Sequence, residues 1–179
     1  MSEERSIFDV LSDALREGPG RFLLIGGYSL EAYGYRRITD DTDLLVASSD
    51  FPWMERTLTH IGYRRAVENP TFCKFTHVTL AMQDVDVMFV NEQTFEKLWS
   101  ASQIFQRGNA RLRVPLALHL IALKLHAIKN NPQRLAKDRG DILELINRNR
   151  DRIDDDSLRA ICDRFGPAGI FDHLKDLLP

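Results

Sequence analysis

The chain has 179 residues, 44% of them hydrophobic and 28% charged, with a formal net charge of −2. That length suits one domain, or one with a small helical appendage, and it can bury a core without disulfide staples. The near-neutral charge excludes a global basic field for nucleic acid. The two distant cysteines, Cys73 and Cys162, argue against a disulfide framework or a zinc site. No apolar run reaches the length of about 18 residues that a membrane helix requires. Met1-Ser2-Glu3-Glu4-Arg5 contains no signal-peptide apolar core, so a cytoplasmic protein with reduced thiols is expected.

In chain order, Ile7, Phe8, Leu11, Ala14 and Leu15 form an apolar stripe at helical spacing over residues 5–17, stopped by Gly18-Pro19-Gly20. A short buried strand is expected over 22–25 and a helix over 28–33, opening directly after Gly26-Gly27. Asp41 to Val46 reads as a second strand. Ser48, Ser49 and Asp50 offer N-caps for a helix to about Ile61, with Pro52 tolerated in its first turn. Strands follow at 64–67, 72–80 and 84–90, the last with an Asp-Val-Asp-Val alternation of period two. Asn91 can cap a helix to about Ser102, and a Gly108-Asn109 turn centres a hairpin over 104–114. After Pro115 the pattern becomes helical: 116–129, 133–148 after the break at Asn130-Asn131-Pro132, a helix capped by Asp154 to Ser157, and 169–178. The expectation is an α+β fold with a mixed sheet in a core over 1–114 and a helical C-terminal region over 115–179, with no internal repeat.

The chemistry lies in the carboxylates. Residues i and i+2 of a strand share a face, so Asp41 and Asp43 project side by side while Thr42 points away. Asp86, on a neighbouring strand, supplies a third oxygen ligand. Asp84 has the same parity and competes for that role, but Asp86 is the more deeply flanked by apolar residues. A lone pair of this kind is more often solvated. Carboxylates held against Leu44-Leu45-Val46 and Val85, Val87 and Phe89 are costly unless paired or metal-bound. Hard oxygen ligands at this spacing suit Mg²⁺, one ion or two, together with substrate phosphate. Gly26 and Gly27 lack a Cβ, so their amides can approach a phosphate. The helix after them would turn its N–H groups to the same anion, and Ser29 could add a hydroxyl.

Gly26-Gly27 followed by Arg37-Ile38-Thr39-Asp40-Asp41-Thr42-Asp43 resembles the nucleotidyltransferase superfamily, the DNA polymerase β-like enzymes. The Arg-x-Thr-x-Asp-x-Asp form looks most like small prokaryotic members related to abortive-infection toxins. His119 to Leu125 and Lys137-Asp138-Arg139-Gly140-Asp141 are similar to the downstream Lys and Lys-Asp-x-x-Asp motifs of those proteins. The resemblance covers about residues 20 to 147. It departs from better-known members in having Gly27 where they have Ser, and in a long spacing to the aspartate pair.

The resemblance implies transfer of an NMP from an NTP to a hydroxyl, with pyrophosphate leaving. Asp41, Asp43 and Asp86 would hold metal, and Gly26, Gly27, Ser29, Lys124 and Lys137 would hold the nucleotide. Arg37, Asp138 and Asp141 are orienting candidates. A lysine in so apolar a helix as Lys124 can instead simply snorkel, and Lys137 and Asp141 can form a surface i,i+4 pair. The acceptor is left as tRNA, a protein or a small molecule such as an antibiotic, and a cognate antitoxin is a possible partner. A nucleotide-binding module without turnover is the rival reading. Arg64, Arg65, Arg111 and Arg113 form basic spots that could track an RNA backbone.

Overall fold

A computed structural model describes residues 6–79 and 82–178. The expected strand end at Leu80 and the N-terminal Met1 to Arg5 lie outside the described residues. The chain divides into two units. One comprises residues 1–32 and 36–115, the other 33–35 and 116–179.

The first unit opens with α1, Ile7–Glu17. Ser6 accepts from the Asp9 amide and the Asp9 carboxylate accepts from the Ser6 amide, a reciprocal box that satisfies two otherwise orphaned donors. Ile7, Phe8 and Leu11 are buried, and α1 lies along β7 (Ala110–Val114), with the Arg111 amide donating to Ser12 Oγ at 2.9 Å. The main sheet holds β1 (Leu23–Ile25), β2 (Asp41–Ala47), β3 (Tyr63–Asn69), β4 (Phe72–His77) and β5 (Asp84–Val90), in the order β1-β2-β5-β4-β3. Only β2 and β5 pair in parallel; the other neighbours are antiparallel. β6 (Gln103–Arg107) and β7 form the expected hairpin, with Gly108 at φ +60 in its turn. The residue alternation decides which face is the core. Leu24, Leu44, Val46, Cys73, Phe75, Val85 and Val87 point into one apolar cluster with Phe8, Leu11, Phe22, Met54 and Leu58. The intervening aspartates of β2 and β5 are thereby turned to the opposite face.

Three expectations need correction. The helix expected over 28–33 ends where expected but starts earlier and is two short turns. A four-residue turn of helix, α2 (Gly26–Ser29), begins on Gly26 itself and tightens into a 3₁₀ turn over Leu30–Tyr33. None of Ser48, Ser49 and Asp50 caps α3 (Phe51–His60) through its side chain. Ser48 donates to the Val90 carbonyl at 3.2 Å, Ser49 to Glu92 at 2.6 Å, and Asp50 accepts from the Arg21 amide at 3.3 Å. Distant partners outcompeted the local amides. β3 runs seven residues, longer than the 64–67 expected, with a register shift between Arg65 and Val67. By contrast Asn91 does cap α4 (Glu92–Ser100), accepting from the Thr94 amide.

The second unit contains α5 (Ala117–Asn130), α6 (Leu135–Arg148), α7 (Asp155–Phe165) and α8 (Ile170–Leu177). α5 packs on α6 and α7, and α7 on α8. Asp154 caps α7 by accepting from the Ser157 amide. Gly166 ends that helix where an added Cβ would lie 2.6 Å from the Ile170 side chain, so the α7–α8 corner depends on its missing side chain. Among the described residues, no helix is long and apolar enough to cross a membrane.

Candidate active site

Parallel pairing sets Asp41 opposite Asp84 and Asp43 opposite Asp86. Four carboxylates therefore share one face of two adjacent strands. Ligand oxygens of Asp41, Asp43 and Asp86 all lie within 4.8 Å of one another, and among the described residues they form the one group of this kind. Asp84 is turned instead to Lys74 on β4, whose Nζ lies 3.0 Å from Asp84 and 3.8 Å from Asp86 Oδ1. Asp84 is 36% exposed at its side chain and Asp86 only 15%, which separates a solvated ion pair from a largely enclosed carboxylate.

Asp86 Oδ1 is buried without a hydrogen-bond partner. Burial pushes the Asp86 carboxyl above the usual range. Lys74 pulls it back, and Asp41 and Asp84 push it further up. A buried oxygen with no hydrogen bond, an ammonium no nearer than 3.8 Å and like charges beside it is a costly arrangement that a divalent cation relieves. The oxygen-only donor set and the orphaned Oδ1 thus fit a hard ion of the Mg²⁺ type. Lys74 is itself held above its ordinary value, chiefly by the hydrogen bond to Asp84, and stays charged.

The glycine turn is built around these carboxylates. Gly26 sits at φ +63, and a Cβ there would lie 1.8 Å from Asp43 Oδ2. Only glycine combines the left-handed backbone with room for that carboxylate. A Cβ on Gly27 would lie 2.7 Å from Thr39 Oγ1. Ser29 is fully buried, and its hydroxyl donates to the Gly26 carbonyl at 2.8 Å, closing the turn from within. The hydroxyl expected to reach a phosphate is thus engaged inside the turn. Arg37 donates to the Ile38 carbonyl at 3.0 Å within its own loop.

No family model matches the sequence, and no curated protein matches it. Solved structures do. The chain aligns over 94% of its length with 92% of the antibiotic-resistance factor ANT(2'')-Ia, with a TM-score of 0.66 at 13% identity. The chain has the nucleotidyltransferase fold. A nucleotidyltransferase-like protein from Paracoccidioides brasiliensis aligns over 94% of this chain and 87% of its own, with a TM-score of 0.59 at 14% identity. The lincosamide antibiotic adenylyltransferase LnuA, in its lincomycin-bound form, aligns over 79% and 95%, with a TM-score of 0.57 at 14% identity. At these identities the likeness is one of fold.

In the helical unit of this nucleotidyltransferase fold, Lys124 is 8% exposed. Its Nζ donates to Asp138 at 3.1 Å and to Asp141 at 2.7 Å, and Arg134 Nε meets the other Asp138 oxygen at 2.7 Å. A buried ammonium thus joins two buried carboxylates of α6 to α5, with the exposed Arg134 on the outer oxygen of Asp138. Lys124 therefore neither snorkels to water nor stands as an uncommitted ammonium. Lys137, one residue before Asp138, is exposed. Two of the four basic residues are engaged: Arg65 bonds Glu55 and Glu68 and lies over Phe51, and Arg113 lies over Trp99 and donates to Ser102.

Sequence reasoning missed Lys74, Thr39, Tyr28 and Gln83 as parts of the site. Lys74 was findable, since a lone charge between Cys73 and Phe75 on a strand must point away from the core. Gln83 carried no motif. Its hydrogen bonds, to Tyr28 and Thr39, span 55 and 44 residues of sequence.

Proposed function

We propose that the protein is a divalent-metal-dependent nucleotidyltransferase that moves an NMP from an NTP to a hydroxyl acceptor. The observation that carries this reading is the convergence of Asp41, Asp43 and Asp86, with an oxygen of Asp86 lacking a hydrogen bond, on the face opposite the apolar cluster in a sheet of that fold. Bound Mg²⁺ would supply charge neutralisation on the phosphates and lower the cost of deprotonating the attacking hydroxyl. Asp41, Asp43 and Asp86 are the residues that would hold it. Gly26 and Gly27 let the turn approach a phosphate closely while keeping Asp43 in place. The acceptor oxygen forms a bond to the α-phosphorus, the bond to the bridging oxygen breaks, pyrophosphate leaves, and the hydroxyl proton goes to solvent. Such transfer depends on positioning and fixed charge more than on covalent participation by the protein.

Within the helical unit, Lys137 is exposed on α6. Lys124, Asp138 and Asp141 hold α5 against α6. ANT(2'')-Ia has been seen with adenylyl-2''-tobramycin and LnuA with lincomycin. A small hydroxylated molecule is accordingly the first acceptor class to test, with RNA and protein as the comparison fractions.

The test uses each of the four α-labelled NTPs with Mg²⁺ and a bacterial lysate, separated into small molecules, RNA and protein. Label is expected in one fraction and is expected to vanish with Asp43→Asn. A folded Asp43→Asn protein that transfers label as well as the wild type would sink the metal assignment.

A further inference from the structure

Asp41 and Asp86 belong to strands far apart in sequence, and a sheet ladder fixes strand spacing but not carboxylate orientation. Gln83, the residue before β5, ties the surrounding segments together. Its Oε1 accepts the Tyr28 hydroxyl at 2.7 Å, and its Nε2 donates to the Thr39 carbonyl at 3.2 Å. Its own carbonyl accepts the Tyr63 hydroxyl at 2.8 Å. Thr39 in turn donates Oγ1 to Asp41 Oδ1 at 3.1 Å, and its side chain fills the space that Gly27 leaves open. One amide side chain thus joins the glycine turn, the loop entering β2 and the start of the strand that carries Asp86.

We propose that Gln83 is a positioning residue of the metal site, setting the orientation of Asp41 relative to Asp86 through Thr39. The inference rests on the nucleotidyltransferase reading above. Only a side-chain amide of this length both accepts from Tyr28 and donates to Thr39. Glutamate keeps the length but cannot donate to the carbonyl, and leucine keeps the bulk but does neither. A small hard cation demands near-ideal oxygen geometry, so a shift in one carboxylate is felt as lost affinity. Partners behind the ligands typically contribute about 10- to 100-fold in metal affinity.

The experiment titrates Mn²⁺ into the full chain and reads free ion by electron paramagnetic resonance, with far-UV circular dichroism on each variant. Gln83→Leu and Gln83→Glu are each expected to weaken Mn²⁺ binding by about 10-fold or more with the fold retained. Thr39→Val should show a similar loss, and Gln83→Leu combined with Thr39→Val should be no weaker than the weaker single variant, because both act through one path. Gln83→Glu keeps size and polarity, so it answers should the leucine variant fail to fold. Wild-type binding that Gln83→Leu and Gln83→Glu leave unchanged overturns the inference alone, and so does a fully additive double variant. A wild-type chain that binds no Mn²⁺ overturns the metal site itself and the functional reading with it.

Discussion

Replacing Lys124 with methionine removes the ammonium that two buried carboxylates share. Asp138 is fully buried and Asp141 is 1% exposed, so neither can turn to water in place. Asp138 keeps Arg134 at 2.7 Å, while Asp141 loses its 2.7 Å contact with Nζ. Breaking a buried ion pair by removing one partner costs about 3–5 kcal/mol, because the buried carboxylates keep their desolvation penalty while losing the ammonium. For a chain of this size each kcal/mol moves the melting temperature by about 2–4 °C, so a drop of about 6–20 °C is expected. Urea unfolding followed by circular dichroism measures the loss directly. Adding Asp141→Leu to Lys124→Met should recover a substantial part of it, since an apolar pair needs no compensation. A loss below about 1 kcal/mol, the level of an exposed pair, would refute the argument that this group is held by burial and charge together.

Gly26→Ala should lower any transfer activity by about 100-fold, the scale of an ångström-level misplacement of a reacting group. The new methyl displaces Asp43, and the fold should survive by circular dichroism. Saturating Mg²⁺ should stabilise the protein against heat, by about 2.7 kcal/mol at a hundred times its dissociation constant; the shift should be absent in Asp43→Asn, and its persistence there would place the ion elsewhere. Burial pushes the Cys162 thiol up to about 11 and the Cys73 thiol above its ordinary value, so both hold less thiolate at pH 8 than a free cysteine. Neither should react with iodoacetamide at that pH until denaturant is added, and labelling of the native protein, read by mass, would contradict their placement.

The features legible in the sequence were those governed by short-range periodicity. The Asp-Val-Asp-Val alternation placed β5 and its two faces, because the pleat alone decides which side chains turn outward. Asn91 and Asp154 announced their helices, since a cap is a contact between near neighbours. Less visible was everything that depends on pairing between distant segments. The register that seats Asp43 beside Asp86 follows from β2 meeting β5 in parallel, which no local pattern encodes. Ser48, Ser49 and Asp50 had the composition of caps but found partners in Val90, Glu92 and Arg21. Lys124 looked like a phosphate ligand by motif. That Asp138 or Asp141 could orient Lys124 was legible in the motif, but that both bond it at once in a buried position appears only when α5 and α6 are packed.

The register of β2 against β5 also bears on how the chain folds. Asp41 meets Asp84 and Asp43 meets Asp86, so zipping these strands compresses four negative charges on one face. This pairing closes a long loop, whereas β4 and β5 are near neighbours and can form first, bringing Lys74 beside Asp84 and Asp86 in advance. The electrostatic barrier then falls on the docking of β2. Refolding should therefore quicken with ionic strength, and more steeply with divalent cations, so that an ion held by these carboxylates would also act as a counterion for their assembly.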